Sequence, residues 1–218
     1  MTRSLLPTVA ACAALLAGCG GSSSGSSSST GAKTGGSGGV ELGPAFGSFA
    51  SLPGTLRTPP PWGPNNGAAL KPRLVAMGLK PLGQEGTVVH IHQHLDLFVH
   101  GTKVPVPALI GISQNQGFIS DLHTHDTTGV MHVESATASQ YSLGQFFGVW
   151  GVQLTPRCLG GLCTGGGKVL KAWVNGKPVT ADPTRVVLAS HQEIVLAYGT
   201  PAEMPKSVPS SYQFPSGE

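Results

Sequence analysis

The sequence predicts a mainly β, α+β fold: a compact antiparallel β domain of hairpins, with one amphipathic helix around 142–152 and a β-grasp-like C-terminal part. Three observations predict it. Residues 88–99 alternate with a period of two, the signature of a strand with two different faces. Short apolar runs are separated by turn sequences, His100-Gly101, Asp126-Thr127-Thr128-Gly129 and Asn175-Gly176. Leu143, Phe146, Phe147 and Trp150 recur at helical spacing behind Ser142, a residue suited to cap a helix N-terminus.

The chain begins with export features. Arg3 supplies a positive charge, and Leu5 to Leu16 form an apolar run ending in Leu16-Ala17-Gly18-Cys19. The run is shorter than the roughly 20 apolar residues a bilayer span needs, so residues 1–18 read as a signal peptide. Leu-Ala-Gly-Cys resembles the lipobox of bacterial lipoproteins. That resemblance implies cleavage after Gly18, lipidation of Cys19 and an extracytoplasmic protein anchored to the cell membrane, where acyl chains supply the affinity. Residues 20–39 are almost wholly Gly, Ser and Thr, which cannot bury apolar surface. With the Pro-rich stretch from Pro53, residues 19–61 read as a lipid-bearing flexible linker. The folded segment is then 62–200, a single domain, followed by a Pro/Ser-rich tail at 201–218 that wraps the surface or frays.

Within the domain, a short helix is expected over 68–77, with Pro72 in its first turn. In the strand 88–99, Val89, Ile91, Leu95, Leu97 and Val99 share one face, which Gln93 interrupts. His90, His92, His94, Asp96 and Phe98 share the other. Residues 102–106 return after His100-Gly101. Residues 119–125 and 130–135 flank the 126–129 loop, a register that sets His123 opposite His132 and His125 opposite Val130. A hairpin over 168–180 and another over 185–198 complete the set.

Four cysteines are present. Cys12 leaves with the signal and Cys19 takes the lipid. Cys158 and Cys163 remain, in a compartment that permits a disulfide; a thiolate metal site is the alternative, though such sites usually take four cysteines. The formal net charge of +3 falls by one when Arg3 is removed, only 11% of residues are charged, and no basic run exists. Nucleic acid is therefore excluded as a partner. No Ser-His-Asp string or Gly-rich phosphate loop stands out, so metal-free catalysis is not expected.

The eight histidines are the chemically informative feature. Alternate strand residues lie about 6.6 Å apart and point the same way, so a His-x-His pair can converge on an ion at 2.0–2.1 Å. His92 and His94 are the expected pair, nearest the strand's middle, with His90 flanking. Parity puts His123, His125, His132 and Glu134 on a single face. The candidate ligands are thus His92, His94, His123, His125 and His132, with His90, Asp126 and Glu134 outside them, holding copper or zinc. The competing reading is a buried hydrogen-bonded network that keeps two strands in register. His100 and His191 read as turn residues. Three functions remain open: a metal-binding lipoprotein, a metalloenzyme with Glu134 or Asp126 as base, and a structural or interaction module.

The strings HIHQHLDLFVHG, PALIGI, LHTHDTTGVMHVES, YSLGQFFGVWG and EIVLAYGTP, spanning about 88–201, resemble a family of secreted bacterial and archaeal His-rich proteins of unassigned function. In that family the first strand is often followed by Asn-Gly or Asp-Gly, which implies a turn at His100-Gly101. The resemblance implies no reaction. Short likenesses to the first cupin motif and to the metallo-β-lactamase HxHxDH pattern fail on spacing.

Overall fold

The computed structural model describes residues 39–218. The signal peptide, Cys19 and most of the Gly/Ser-rich stretch lie outside the described residues. The described chain is β-dominated, with helix α1 (Leu70–Ala76), strands β1 (Val89–Val99), β2 (Thr102–Val104), β3 (Ile112–Ser113), β4 (Phe118–Ile119), β5 (Leu122–His123) and β6 (Val130–Ser135), helix α2 (Leu143–Trp150), then β7 (Cys158–Leu159), β8 (Leu162–Cys163), β9 (Val169–Val174), β10 (Lys177–Val179) and β11 (Gln192–Gly199).

The main sheet runs β10-β9-β11-β1-β6-β5, and β2 pairs with the end of β1 beyond β6. It is a mixed sheet. Its pairs are antiparallel, by hairpins at β1–β2, β5–β6 and β9–β10 and by longer connections at β1–β6 and β9–β11, except at the centre, where β11 lies parallel to β1 from Gln93↔Gln192 to Val99↔Tyr198. Parallel neighbours need a long crossover, and the chain from β6 to β11, carrying α2, supplies it. The order of helix, hairpin and closing strand in the C-terminal part is as expected.

The predicted hairpin over 185–198 does not form. Residues 183–185 make a 3₁₀ turn. Beyond it, Val187 N–H donates to Glu41 O and Leu188 N–H to Tyr141 O, while Leu143 N–H donates to Val186 O. The apolar run at 186–188 is buried, but its backbone partners come from remote segments, leaving β11 free to enter the sheet beside β1. Both two-residue turns have the expected form. His100 and Gly101, and Asn175 and Gly176, all have positive φ, the type I′ geometry that matches strand twist.

Helix α2 begins in a capping box, in which Ser142 Oγ accepts from Gln145 N–H and the Gln145 side chain accepts from Ser142 N–H. Leu143, Phe146, Phe147 and Trp150 join Leu95, Leu97, Leu122, Met131, Val133, Ile194 and Leu196 in one buried core. This core covers the apolar face of the sheet. The residues on either side of Pro53 join it as well, since Phe49 and Leu52 are buried there and Leu56 N–H donates to Gly151 O. Part of the expected linker therefore packs on the domain.

Arg73 of α1 is fully buried and is held by carbonyls. Its Nη2 donates to Asn65 O at 2.7 Å and to Val149 O, in the last turn of α2, at 3.0 Å. Burial lowers its pKa to about 10. Cys158 and Cys163 form a disulfide across the β7–β8 hairpin.

Candidate metal centre

The opposite face of the sheet carries the histidines, and strand register brings them together. His92 of β1 pairs with His132 of β6, and His132 pairs on its other side with His123 of β5. Paired residues on neighbouring strands point to the same face. Three imidazoles therefore stand in one row across three strands, all buried. His90 pairs with Glu134 in the next row. The predicted opposition of His123 and His132 is present.

After His123 the chain leaves the expected strand. Thr124 exchanges backbone hydrogen bonds with Leu109 and Ile110, and its hydroxyl donates to Pro107 O. His125 is consequently off the strand and not opposite Val130. It still reaches the cluster, its ring centroid 4.5 Å from that of His132 and 4.8 Å from that of His123.

Glu134 Oε1 is the hub. It lies 3.0 Å from His132 Nδ1, 3.4 Å from His90 Nε2, 3.8 Å from His92 Nε2 and 4.0 Å from His123 Nε2. Glu134 thus stands among the histidines, more central than the outer position expected for it. A second carboxylate, Glu85, lies 3.3 Å from His125 Nε2 and 4.0 Å from His123 Nε2. Its loop has no periodicity to reveal it. Gly86 seats that loop, because a Cβ there would fall 2.1 Å from the Ser135 carbonyl carbon. Only glycine lets Glu85 be carried so close to the end of β6.

A hydrogen bond fixes the His123 tautomer: its Nδ1–H donates to Ser120 O at 3.0 Å, which leaves the lone pair on Nε2, while His132 Nδ1 lies 3.0 Å from Glu134 Oε1, so that these two atoms can face one ion. Securing the distal nitrogen on a carbonyl or carboxylate is the usual support for a metal-binding imidazole. His123 Nε2 and His125 Nε2 are 3.2 Å apart. Two ligands each 2.0–2.1 Å from a tetrahedral ion are separated by about 3.3 Å. One atom from each of His123, His125, His132 and Glu134 lies within 4.8 Å of the others, and the same holds for His90, His92 and Glu134. These buried His/Glu clusters can hold a metal ion.

The charge states suit ligation. Burial lowers the pKa of His123 to about 3, with His132 and His125 adding to the effect against Glu134. Burial lowers that of His92 to about 4, aided by His132 and His90. For Glu134 burial works upward but is outweighed by the His132 hydrogen bond and the charges of His123, His132 and His90, giving about 2. Neutral imidazoles and an ionised carboxylate are the forms that bind metals.

These shifts give a pH dependence for the metal-free protein. Unfolded histidine titrates near 6.5, so as pH falls from about 6.5 towards 4 the unfolded chain takes up protons that His92 and His123 refuse in the fold. Stability therefore falls with acidification, and Glu134 extends the loss below about 4.5. Glu193, raised by burial, works the other way but is one group against two histidines. Thermal melts of chelator-treated protein between pH 7.5 and 4.5 should show a falling midpoint, and His123→Gln should flatten the curve. A pH-independent midpoint would contradict the burial of neutral imidazoles.

His94 is not brought to the other ligands. Its row pairs it with Val130 on one side and Glu193 on the other. Its Nδ1 lies 2.7 Å from Glu193 Oε2 and its Nε2 lies 3.0 Å from Thr128 O. Tyr212 of the tail stacks on the ring at 3.8 Å and 5°. With both nitrogens engaged, His94 forms a separate group with Asp96 and Glu193, beside Lys103 on Asp96 at 2.6 Å. The pair on β1 that meets at Glu134 is His90 and His92. Asp126 is exposed and caps its own turn by accepting from Thr128. His100 and His191 sit in turns, His100 beside Glu203 and His191 beside Glu218 O.

No family model matches the chain, and no curated protein or solved structure is significantly similar to it.

Proposed function

We propose that this protein is a membrane-anchored extracytoplasmic lipoprotein that binds a transition metal, copper or zinc, through the His/Glu centre on β1, β5 and β6. The observation that carries the reading is the 3.2 Å approach of His123 Nε2 and His125 Nε2 with the other His123 nitrogen committed to Ser120. A histidine network serving strand register alone would be expected to bond its ring nitrogens to neighbouring strands. Here the Nε2 atoms of two rings converge on each other instead. His123, His125, His132 and Glu134 amount to a full tetrahedral shell, which favours holding a metal over turning over a substrate. Imidazole donors suit both copper and zinc.

The lipobox-like Leu16-Ala17-Gly18-Cys19 supports the anchor, and the Gly/Ser-rich residues after it would set the domain away from the membrane. Metal analysis of the purified protein tests the function. At least one equivalent of copper or zinc should remain after desalting and be lost to a strong chelator; substoichiometric metal after loading would end the reading. The anchor is tested separately by fractionation, in which the full chain should sediment with membranes and Cys19→Ser should not.

A further inference from the structure

The centre holds more donors than one ion can use. His90, His92, His123, His125, His132, Glu85 and Glu134 all lie within reach, whereas a tetrahedral ion takes four ligands. Nor do they surround one point. They divide into two groups, His123, His125 and His132 on the β5 side and His90 and His92 on the β1 side, and Glu134 belongs to both.

We propose that the protein binds a pair of transition-metal ions bridged by the Glu134 carboxylate, a reading that rests on the metal-binding function above and adds a second ion to it. The first ion takes His123, His125 and His132, with Glu85 at its exposed side. The second takes His90 and His92. Glu134 Oε1 already lies within 4.0 Å of a ring nitrogen from both groups, and a carboxylate has two oxygens with which to bridge. Paired ions in proteins stand about 3.5–4 Å apart, a separation one carboxylate spans. Without Glu134, two cations so close would repel strongly in a buried site.

Access fits the same arrangement. His92, His123, His132 and Glu134 form a buried floor, while His90 at one end and His125 with Glu85 at the other are about half exposed. Each ion therefore has its own opening to solvent, and each opening carries a ligand that can swing aside. The second ion, with three protein donors, keeps a position free for water.

The test uses metal-free protein titrated with copper(II) or zinc(II), read by metal analysis and, for copper, by electron paramagnetic resonance. Wild type should bind two equivalents, and two copper(II) ions bridged by one carboxylate should couple and lose most of the signal expected for isolated ions. His90→Ala, at an exposed position whose loss the fold tolerates, should bind one equivalent and regain the uncoupled signal. Glu134→Gln should abolish coupling. One equivalent in wild type, or two uncoupled ions, overturns the pair while leaving the metal-binding reading intact. No metal in wild type overturns both, and two coupled ions in His90→Ala would show that the second site lies elsewhere.

Discussion

His132→Ala is expected to weaken metal binding about 100-fold or more while the protein stays folded. His132 lies on the middle strand of three, with His92 beside it on β1 and His123 on β5 in the same row. Removing it deletes one ligand. It also deletes the ring nitrogen that lies 3.0 Å from Glu134 Oε1, so a second ligand loses its orientation. Loss of an orienting partner alone typically lowers metal affinity 10–100-fold, and loss of the ligand adds to that. Stability of the metal-free protein at neutral pH should fall by about 1.5–3 kcal/mol, since buried, ionised Glu134 loses the His132 hydrogen bond. His100→Ala, in the exposed turn beyond the far end of β1, is the control and should bind like wild type. Competition against a chromophoric chelator measures the ratio. Wild-type affinity in His132→Ala would mean that the row of imidazoles is a strand-register device.

Arg73→Ala should destabilise the domain by about 3 kcal/mol without touching the metal centre. A hydrogen bond from a charged donor contributes about 1.5–3 kcal/mol, and an acceptor left buried and unpaired costs about 1–3 kcal/mol more. Asn65 O and Val149 O would both lose their partner. Against this stands the cost of burying a guanidinium, visible in its lowered pKa, which the substitution relieves in part. For a domain of this size the net change lowers the melting midpoint by about 6–12 °C. Arg73→Lys should recover only part of it, because an ammonium cannot reach several carbonyls with one planar fork. The two variants separate the halves of the molecule. Arg73 works on the helical side of the sheet and His132 on the other, so Arg73→Ala should leave metal affinity unchanged.

Much of this arrangement was legible in the residues. A period-two pattern states which residues share a face, whatever lies beside the strand, and so His90, His92 and Glu134 could be grouped with their neighbours. The short loop after Asp126 set His123 against His132 because register in a hairpin follows loop length. The capping box at Ser142 and Gln145 and the two type I′ turns are local devices, and local sequence specifies them. Alternation puts His92 and His94 on one face alike, while only the neighbouring strands say what each will meet, His132 for His92 and Val130 and Glu193 for His94. Glu85 was invisible because a loop residue has no period, and only the seat at Gly86 brings it in.

The sequence by itself determined the β-dominated class, the helix over the core, the hairpins and the presence of a histidine face. All of these follow from spacing within a few residues. The tertiary structure decided the mixed sheet, with β11 inserted parallel to β1, the fate of the 186–188 run, the removal of His94 to Glu193 and the placing of Glu134 as hub. These depend on which distant segments become neighbours. Pairing across 99 residues, as between Gln93 and Gln192, is chosen by burial of the whole core and leaves no local mark. A site assembled across three strands inherits that dependence, and its donors become a centre only when the sheet is complete.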